Sequence, residues 1–172
     1  MNMNRFSLFG SLAILLTAGI VGCSSPVDNS SASTPLLKGK NPPTTTTAWE
    51  VEPNNDPALA TSVIGTAAAG GGLQGTISSA TDNDYYLTYA VPAGKQFTVH
   101  LAMPYSKDYD VQILASDGIT VLASNHQGAG MSETLTLKNS SSSSQTYKLR
   151  IFSADGSFST TSPYTLIVGK AN

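Results

Sequence analysis

Gln96-Phe97-Thr98-Val99-His100-Leu101-Ala102-Met103 decides the fold of this chain. Phe97, Val99, Leu101 and Met103 alternate with smaller or polar residues, and a period of two places the four on one face of an extended strand. Upstream, Tyr85, Leu87, Tyr89 and Val91 alternate in the same way. They predict a second strand with those four side chains toward the core. Between the two lies Pro92-Ala93-Gly94-Lys95, with Pro and Gly at turn positions, so the pair is expected to form a hairpin.

The same signals continue outward. Further strands are expected over 73–77, 111–115, 120–123, 133–137, 147–152 and 164–168. Turn chemistry separates them at Ser116-Asp117-Gly118, at Gln127-Gly128-Ala129-Gly130, in the serine-rich run from Lys138 to Gln145, and at Ala154-Asp155-Gly156. The serine run reads as a solvated hairpin loop. The sole helical candidate is 56–60, a turn or two at most. Seven or eight short strands at this spacing predict an all-β domain, an antiparallel β-sandwich or jelly roll. About 120 residues suffice to bury a core without disulfides.

The first fifty residues have a different character. Arg5 precedes an apolar run over 6–21 that has the charged and apolar regions of a secretory signal but is too short to span a bilayer. The run ends in Ile20-Val21-Gly22-Cys23-Ser24-Ser25, which resembles a bacterial lipobox. Residues 1–22 are therefore expected to be a lipoprotein signal peptide, with Cys23, the one cysteine of the chain, as the lipidated N-terminus. Residues 23–48 are rich in Ser, Thr and Pro and lack apolar periodicity, which predicts a tether spanning roughly 30 Å as a flexible coil. The expected location is the bacterial cell envelope, lipid-anchored. Ser24 after the cysteine resembles the outer-membrane sorting preference of enteric bacteria.

Charge excludes one class of partner. The chain carries 9 basic and 11 acidic residues, with no basic patch interleaved with aromatics, so no nucleic-acid partner is expected. The acidic residues are the informative ones. Glu50 and Glu52, then Asp82 and Asp84, form two pairs spaced i,i+2 just ahead of expected strands. Each pair presents two carboxylates on one face, and hard oxygen donors in a flexible arrangement suit Ca2+. An EF-hand does not fit: counting from Asp82, the sixth position is Leu87 and the twelfth is Ala93. The competing reading is a solvated acidic edge that discourages strand pairing.

The order Glu50-x-Glu52-Pro53-Asn54-Asn55, Gly75-x-Ile77, Asp82-x-Asp84-Tyr85-Tyr86 and Pro92-Ala93-Gly94 resembles the bacterial pre-peptidase C-terminal domain. Asp110-Val111-Gln112-Ile113-Leu114, Asp117-Gly118 and Tyr164-x-Leu166-x-Val168 continue the likeness, which covers about residues 49–169. The resemblance implies a β-sandwich of the kind appended to secreted peptidases, including the collagen-binding domains of clostridial collagenases. It also implies a calcium site at Glu50, Glu52, Asn54, Asn55, Asp82 and Asp84. Asn55 stands where some members have Asp. The setting departs from the family: a signal, an anchor and a tether precede this domain, where a peptidase is usual.

Other chemistry finds little support. His100 and His126 lie on unrelated segments and make no zinc pattern, and no G-x-S-x-G elbow is present. Asp82 and Asp84 stand at a strand start without the cleft a glycosidase pair needs. Tyr86, Tyr105 and Tyr109 are candidates for an exposed aromatic platform; ordinary sandwich packing is the competing reading. The function expected is a non-enzymatic, monomeric, lipid-anchored protein whose calcium-stabilised sandwich binds a protein or polysaccharide surface. The alternative is an accessory lipoprotein that positions or stabilises a secreted peptidase or another envelope partner.

Overall fold

The computed structural model describes residues 48–172; the signal-like run, Cys23 and the tether up to residue 47 lie outside the described residues. Eight strands carry the domain: β4 Gly70–Gly75, β5 Asn83–Leu87, β6 Gln96–Ala102, β7 Tyr109–Leu114, β8 Val121–Asn125, β9 Glu133–Lys138, β10 Lys148–Ser153 and β11 Tyr164–Val168. Three short strands precede them, β1 Ala48–Trp49, β2 Thr61–Ser62 and β3 Ile64–Thr66. They form a six-stranded sheet in the order β1-β4-β11-β6-β9, with β3 also on β4, and a five-stranded sheet in the order β2-β5-β10-β7-β8. Pairing is antiparallel except for β1 on β4 and β2 on β5, which are parallel.

The two sheets pack face to face because each turns one alternating set of apolar residues inward. From the six-stranded sheet come Leu73, Phe97, Val99, Leu101, Leu166 and Val168; the five-stranded sheet answers with Tyr86, Val111, Ile113, Leu149 and Ile151. Aromatic contacts knit the two layers. Phe97 stacks on Tyr147 with ring centroids 5.4 Å apart, and Tyr109 meets Tyr164 edge to face at 6.2 Å. The pattern read from Phe97, Val99 and Leu101 therefore holds, with Met103 just beyond the strand end and half-buried.

The hairpin expected around Pro92–Lys95 does not form. The turn itself is present: Lys95 N donates to Pro92 O at 3.2 Å, and Gly94 takes a left-handed φ of 72°. Yet β5 and β6 belong to different sheets, so this connection crosses the sandwich. The facing of β5 is also reversed: Asp84 and Tyr86 point into the core, while Tyr85 and Leu87 lie half-buried on the outer face. Register explains this, because Asp84 and Tyr86 sit opposite Ile151 and Leu149, whose side chains are buried. The phase shifts at Thr88, whose N donates to Tyr147 O at 2.9 Å while its Oγ1 accepts from Tyr147 N at 3.0 Å, and Tyr89 and Val91 beyond it do reach the core.

The serine run is likewise a crossover between sheets and not a hairpin loop. It folds around the buried amide of Asn139, whose Nδ2 donates to Val91 O and Ser143 O, both at 2.9 Å. Its Oδ1 accepts from Ser141 N and Ser141 Oγ at 3.0 and 2.8 Å. Asn139→Ala would strand these groups, and denaturant unfolding should show a loss of about 1–3 kcal/mol. The helical candidate over 56–60 is one 3-10 turn, Pro57–Leu59, capped by Asp56 Oδ1 accepting from Ala58 N at 2.7 Å.

Candidate metal site at the entrance segment

Residues 48–62 strap one margin of the sandwich. The strap begins as β1 on the six-stranded sheet and ends as β2 on the five-stranded sheet. Backbone bonds tie it to both on the way: Glu50 N donates to Gln74 O at 2.8 Å, and Tyr85 N donates to Asn54 O at 3.0 Å. Glu50, Glu52 and Asn54 therefore lie where the chain passes from one layer to the other, beside Asp84 on β5.

One ligand oxygen each from Glu50, Glu52 and Asp84 lies within 4.8 Å of the others, the one such acidic group among the described residues. Asn54 is fully buried between them. With its amide nitrogen toward Glu50 Oε2 (3.4 Å) and Tyr86 Oη (3.5 Å), its Oδ1 faces the acids as a fourth oxygen. Turned over, its nitrogen instead donates to Asp84 Oδ1 and Glu52 Oε2, each at 3.2 Å. The first orientation suits a cation at the centre, the second a bare cluster.

Asp82 stands alongside. Its Oδ2 accepts from Ser78 N and Ser78 Oγ at 2.6 and 2.7 Å, while its buried Oδ1 has no hydrogen-bond partner. Asn55, the sixth residue implied by the resemblance, is exposed and sends no side-chain hydrogen bond into the cluster. Among the described residues the sole ion pair is His126 with Asp110, so no basic side chain offsets these four acids.

Two tyrosines that sequence reasoning did not place here complete the site. Tyr86 Oη donates to Glu50 Oε2 at 2.6 Å and also contacts Tyr164 Oη. Tyr164 Oη donates to Asp84 Oδ2 at 2.5 Å and lies 3.3 Å from Glu50 Oε2. Thr76 N donates to Glu50 Oε1 at 2.6 Å. Gly75 makes room for the arrangement, since a Cβ there would run into Tyr164 Oη and Glu50 Oε2. Tyr86 and Tyr109 have no exposed surface, which overturns the aromatic platform: only Tyr105, 90% exposed, remains outside. The tyrosine alternation was the available signal, but its phase is set by pairing with β10, which turns Asp84 and Tyr86 inward.

Electrostatics follow from this packing. Burial, reinforced by the charge of Glu50, pushes the Asp84 carboxyl up to about 9. Burial also raises Glu52, with the Asn54 N–H working against it and the charges of Glu50 and Asp82 adding to it. Tyr86 and Tyr164 are raised, first by burial and then by neighbouring charge, so they remain hydroxyl donors. Oxygen-only donors, mixed carboxylate and amide, with an orphaned buried oxygen beside them, fit a hard divalent cation such as Ca2+.

A second acidic group does not converge in this way. Asp110 Oδ2 pairs with His126 Nδ1 at 2.6 Å, and Glu133 Oε1 accepts from Gln127 N at 2.6 Å. Burial raises both Asp108 and Glu133.

Fold and site together define an all-β sandwich with an acidic clasp over its entrance strap. Among solved structures, the chain is similar to the pre-peptidase C-terminal domain of a collagenase from Bacillus anthracis, with 13% identity, TM-score 0.46, and coverage of 63% of this chain and 95% of that one. It is also similar to the Aeromonas hydrophila periplasmic inhibitor of g-type lysozyme, PliG, with 16% identity, TM-score 0.46, and coverage of 66% and 97%. A third similarity is to the K3 cleaved adhesin domain of Lys-gingipain from Porphyromonas gingivalis, with 12% identity, TM-score 0.36, and coverage of 52% and 65%. No family model matches the chain, and no curated protein does.

Proposed function

We propose that this protein is a non-enzymatic binding module of the bacterial cell envelope, held by a lipid on Cys23 and stabilised by Ca2+ at the strap. The observation that carries the reading is the convergence of Glu50, Glu52 and Asn54, on a segment that runs from one sheet to the other, with Asp84 of β5, Asp82 standing alongside. A cation there would hold the strap to β5 and so tie the two layers at one margin. It would neutralise carboxylates that otherwise repel one another in a poorly hydrated corner. The acids are engaged by tyrosine and serine hydroxyls and by backbone N–H groups, an arrangement that serves stability more than turnover. What the module binds is a protein or polysaccharide surface. Titration calorimetry with Ca2+ tests the metal: binding should be saturable and abolished in Glu50→Gln/Glu52→Gln. Equal heats from wild type and variant would refute it.

Anchoring is tested separately. Cys23→Ser should leave unprocessed precursor or release soluble protein, and labelling with a palmitate analogue should vanish. Label retained in that variant would rule out the lipobox.

A further inference from the structure

The outer face of the five-stranded sheet carries a cavity of about 340 Å³, within the size of ordinary ligand sites. Its floor is a row across three strands, because Arg150 on β10 sits opposite Tyr85 on β5 and Gln112 on β7. Pro57 forms one wall, and Ile119 of the β7–β8 connection with Val121 at the start of β8 contributes another. The two approach closely at Gly118, where a Cβ would strike the Pro57 ring and φ is 75°.

Arg150 is half-buried and held in place without a counter-ion. Its Nε and Nη2 donate to Asn83 Oδ1 at 2.9 and 2.6 Å, and Nη1 reaches Gln112 Oε1 at 3.5 Å. The guanidinium lies over the Phe152 ring at 4.4 Å. All of these partners are neutral, and a guanidinium has five N–H groups, so donors on Nη1 and Nη2 remain. Lys148, two residues earlier on the same face, runs beside Gly118 and shares its charge with Asp117, which leaves Arg150 as the lining cation with no acidic partner among the described residues. Asp117, in the wall loop, is committed to its own turn, accepting from Ile119 N, Thr120 N and Thr120 Oγ1.

We propose that this cavity binds the C-terminal carboxylate of a peptide, with an aliphatic side chain beside it. The planar guanidinium fork matches a carboxylate. Pro57, Leu114, Ile119 and Val121 offer apolar contact to the rest of the ligand. An acidic sugar would leave its hydroxyls facing those walls without partners, which disfavours it. The inference rests on the reading of this protein as a binding module and names its partner chemistry. The cavity shares no residue with the calcium cluster, but its Pro57 wall lies on the strap, so peptide is titrated both with saturating calcium and without it, which lets the two readings fail separately.

The test follows backbone resonances of the intact protein by NMR during titration. The probes are an acetylated pentapeptide ending in Ala-Leu with a free carboxylate, the same peptide amidated, and a glucuronate oligomer. The free acid should shift Tyr85, Gln112 and Ile119, and amidation should weaken binding roughly 10- to 100-fold, as loss of a charge-assisted hydrogen bond does. Arg150→Gln should lose as much. Since Arg150 also braces Asn83 and Phe152, Ile119→Glu at an 81% exposed position serves as the second variant. It should lose affinity with an unchanged melting temperature, its own carboxylate answering the guanidinium. Equal binding of acid and amide, tighter binding of glucuronate, no shift at millimolar peptide, or full affinity in either variant would overturn the proposal.

Discussion

Millimolar Ca2+ should raise the melting temperature of calcium-depleted protein, and Asp82→Asn/Asp84→Asn should abolish the response. The four carboxylates of the strap and β5 have no basic partner, so the folded state offers a cation what the unfolded chain does not. A ligand bound by the native state alone at a hundredfold excess over its dissociation constant stabilises by about 2.7 kcal/mol. In a domain of this size that corresponds to roughly 10 °C. The core is drawn wholly from residues 63–168, so a fragment over 46–172 is suitable for the melt. The gain should be local as well as global. Residues 50–56, tied to the sheets by few backbone bonds, should become resistant to limited proteolysis when calcium is added. An unchanged midpoint in wild type, or an equal shift in the double variant, would reduce the cluster to a solvated rim.

Without calcium, the same corner should make the protein less stable as pH rises, and Asp84→Asn should remove that dependence. Asp84 titrates near 3.8 when exposed and is pushed up to about 9 in the fold by burial and by Glu50. Between those values the native state holds a proton that the unfolded chain has released. Stability therefore falls with increasing pH, by at most about 1.4 kcal/mol per pH unit for one proton. The contribution is fully present below 3.8 and lost as pH climbs through the folded value. Asparagine keeps the shape and a group to accept from Tyr164 while carrying no charge. The calcium-free variant should match wild type near pH 4 and melt several degrees higher at pH 8. Calcium binding requires the carboxylate, so saturating metal should flatten or invert the wild-type slope and release a proton. A variant with the wild-type slope would move the buried proton to another group.

What could be read in advance, and what could not, divides along a physical line. The strand segments were legible because β-branched and aromatic residues alternate in them and turn residues separate them. Residues 164–168 were placed to the residue and 133–137 to within one. β4 was harder, since Gly70-Gly71-Gly72-Leu73-Gln74-Gly75 has almost no side chains to show a period. It is a strand because β1, β3 and β11 supply its hydrogen bonds. The five acid and amide residues that meet at the strap were nominated from their spacing and family likeness. Asn55 was nominated with them and points away.

The amino-acid sequence by itself determined an all-β domain, the approximate places of its eight principal strands, its turn at Pro92–Lys95 and a supply of paired oxygen donors. Local alternation and oxygen chemistry are properties of short stretches, and they survive in any arrangement of those stretches. Tertiary structure alone decided which sheet each strand joined, so that β5 and β6 parted company where a hairpin was expected. It alone turned Asp84 and Tyr86 inward, because pairing with Ile151 and Leu149 sets the face and a one-residue change of register reverses it. It alone brought Tyr164, 114 residues from Glu50, to the carboxylates of the strap. Such contacts depend on how two sheets are laid over one another, which no local pattern encodes.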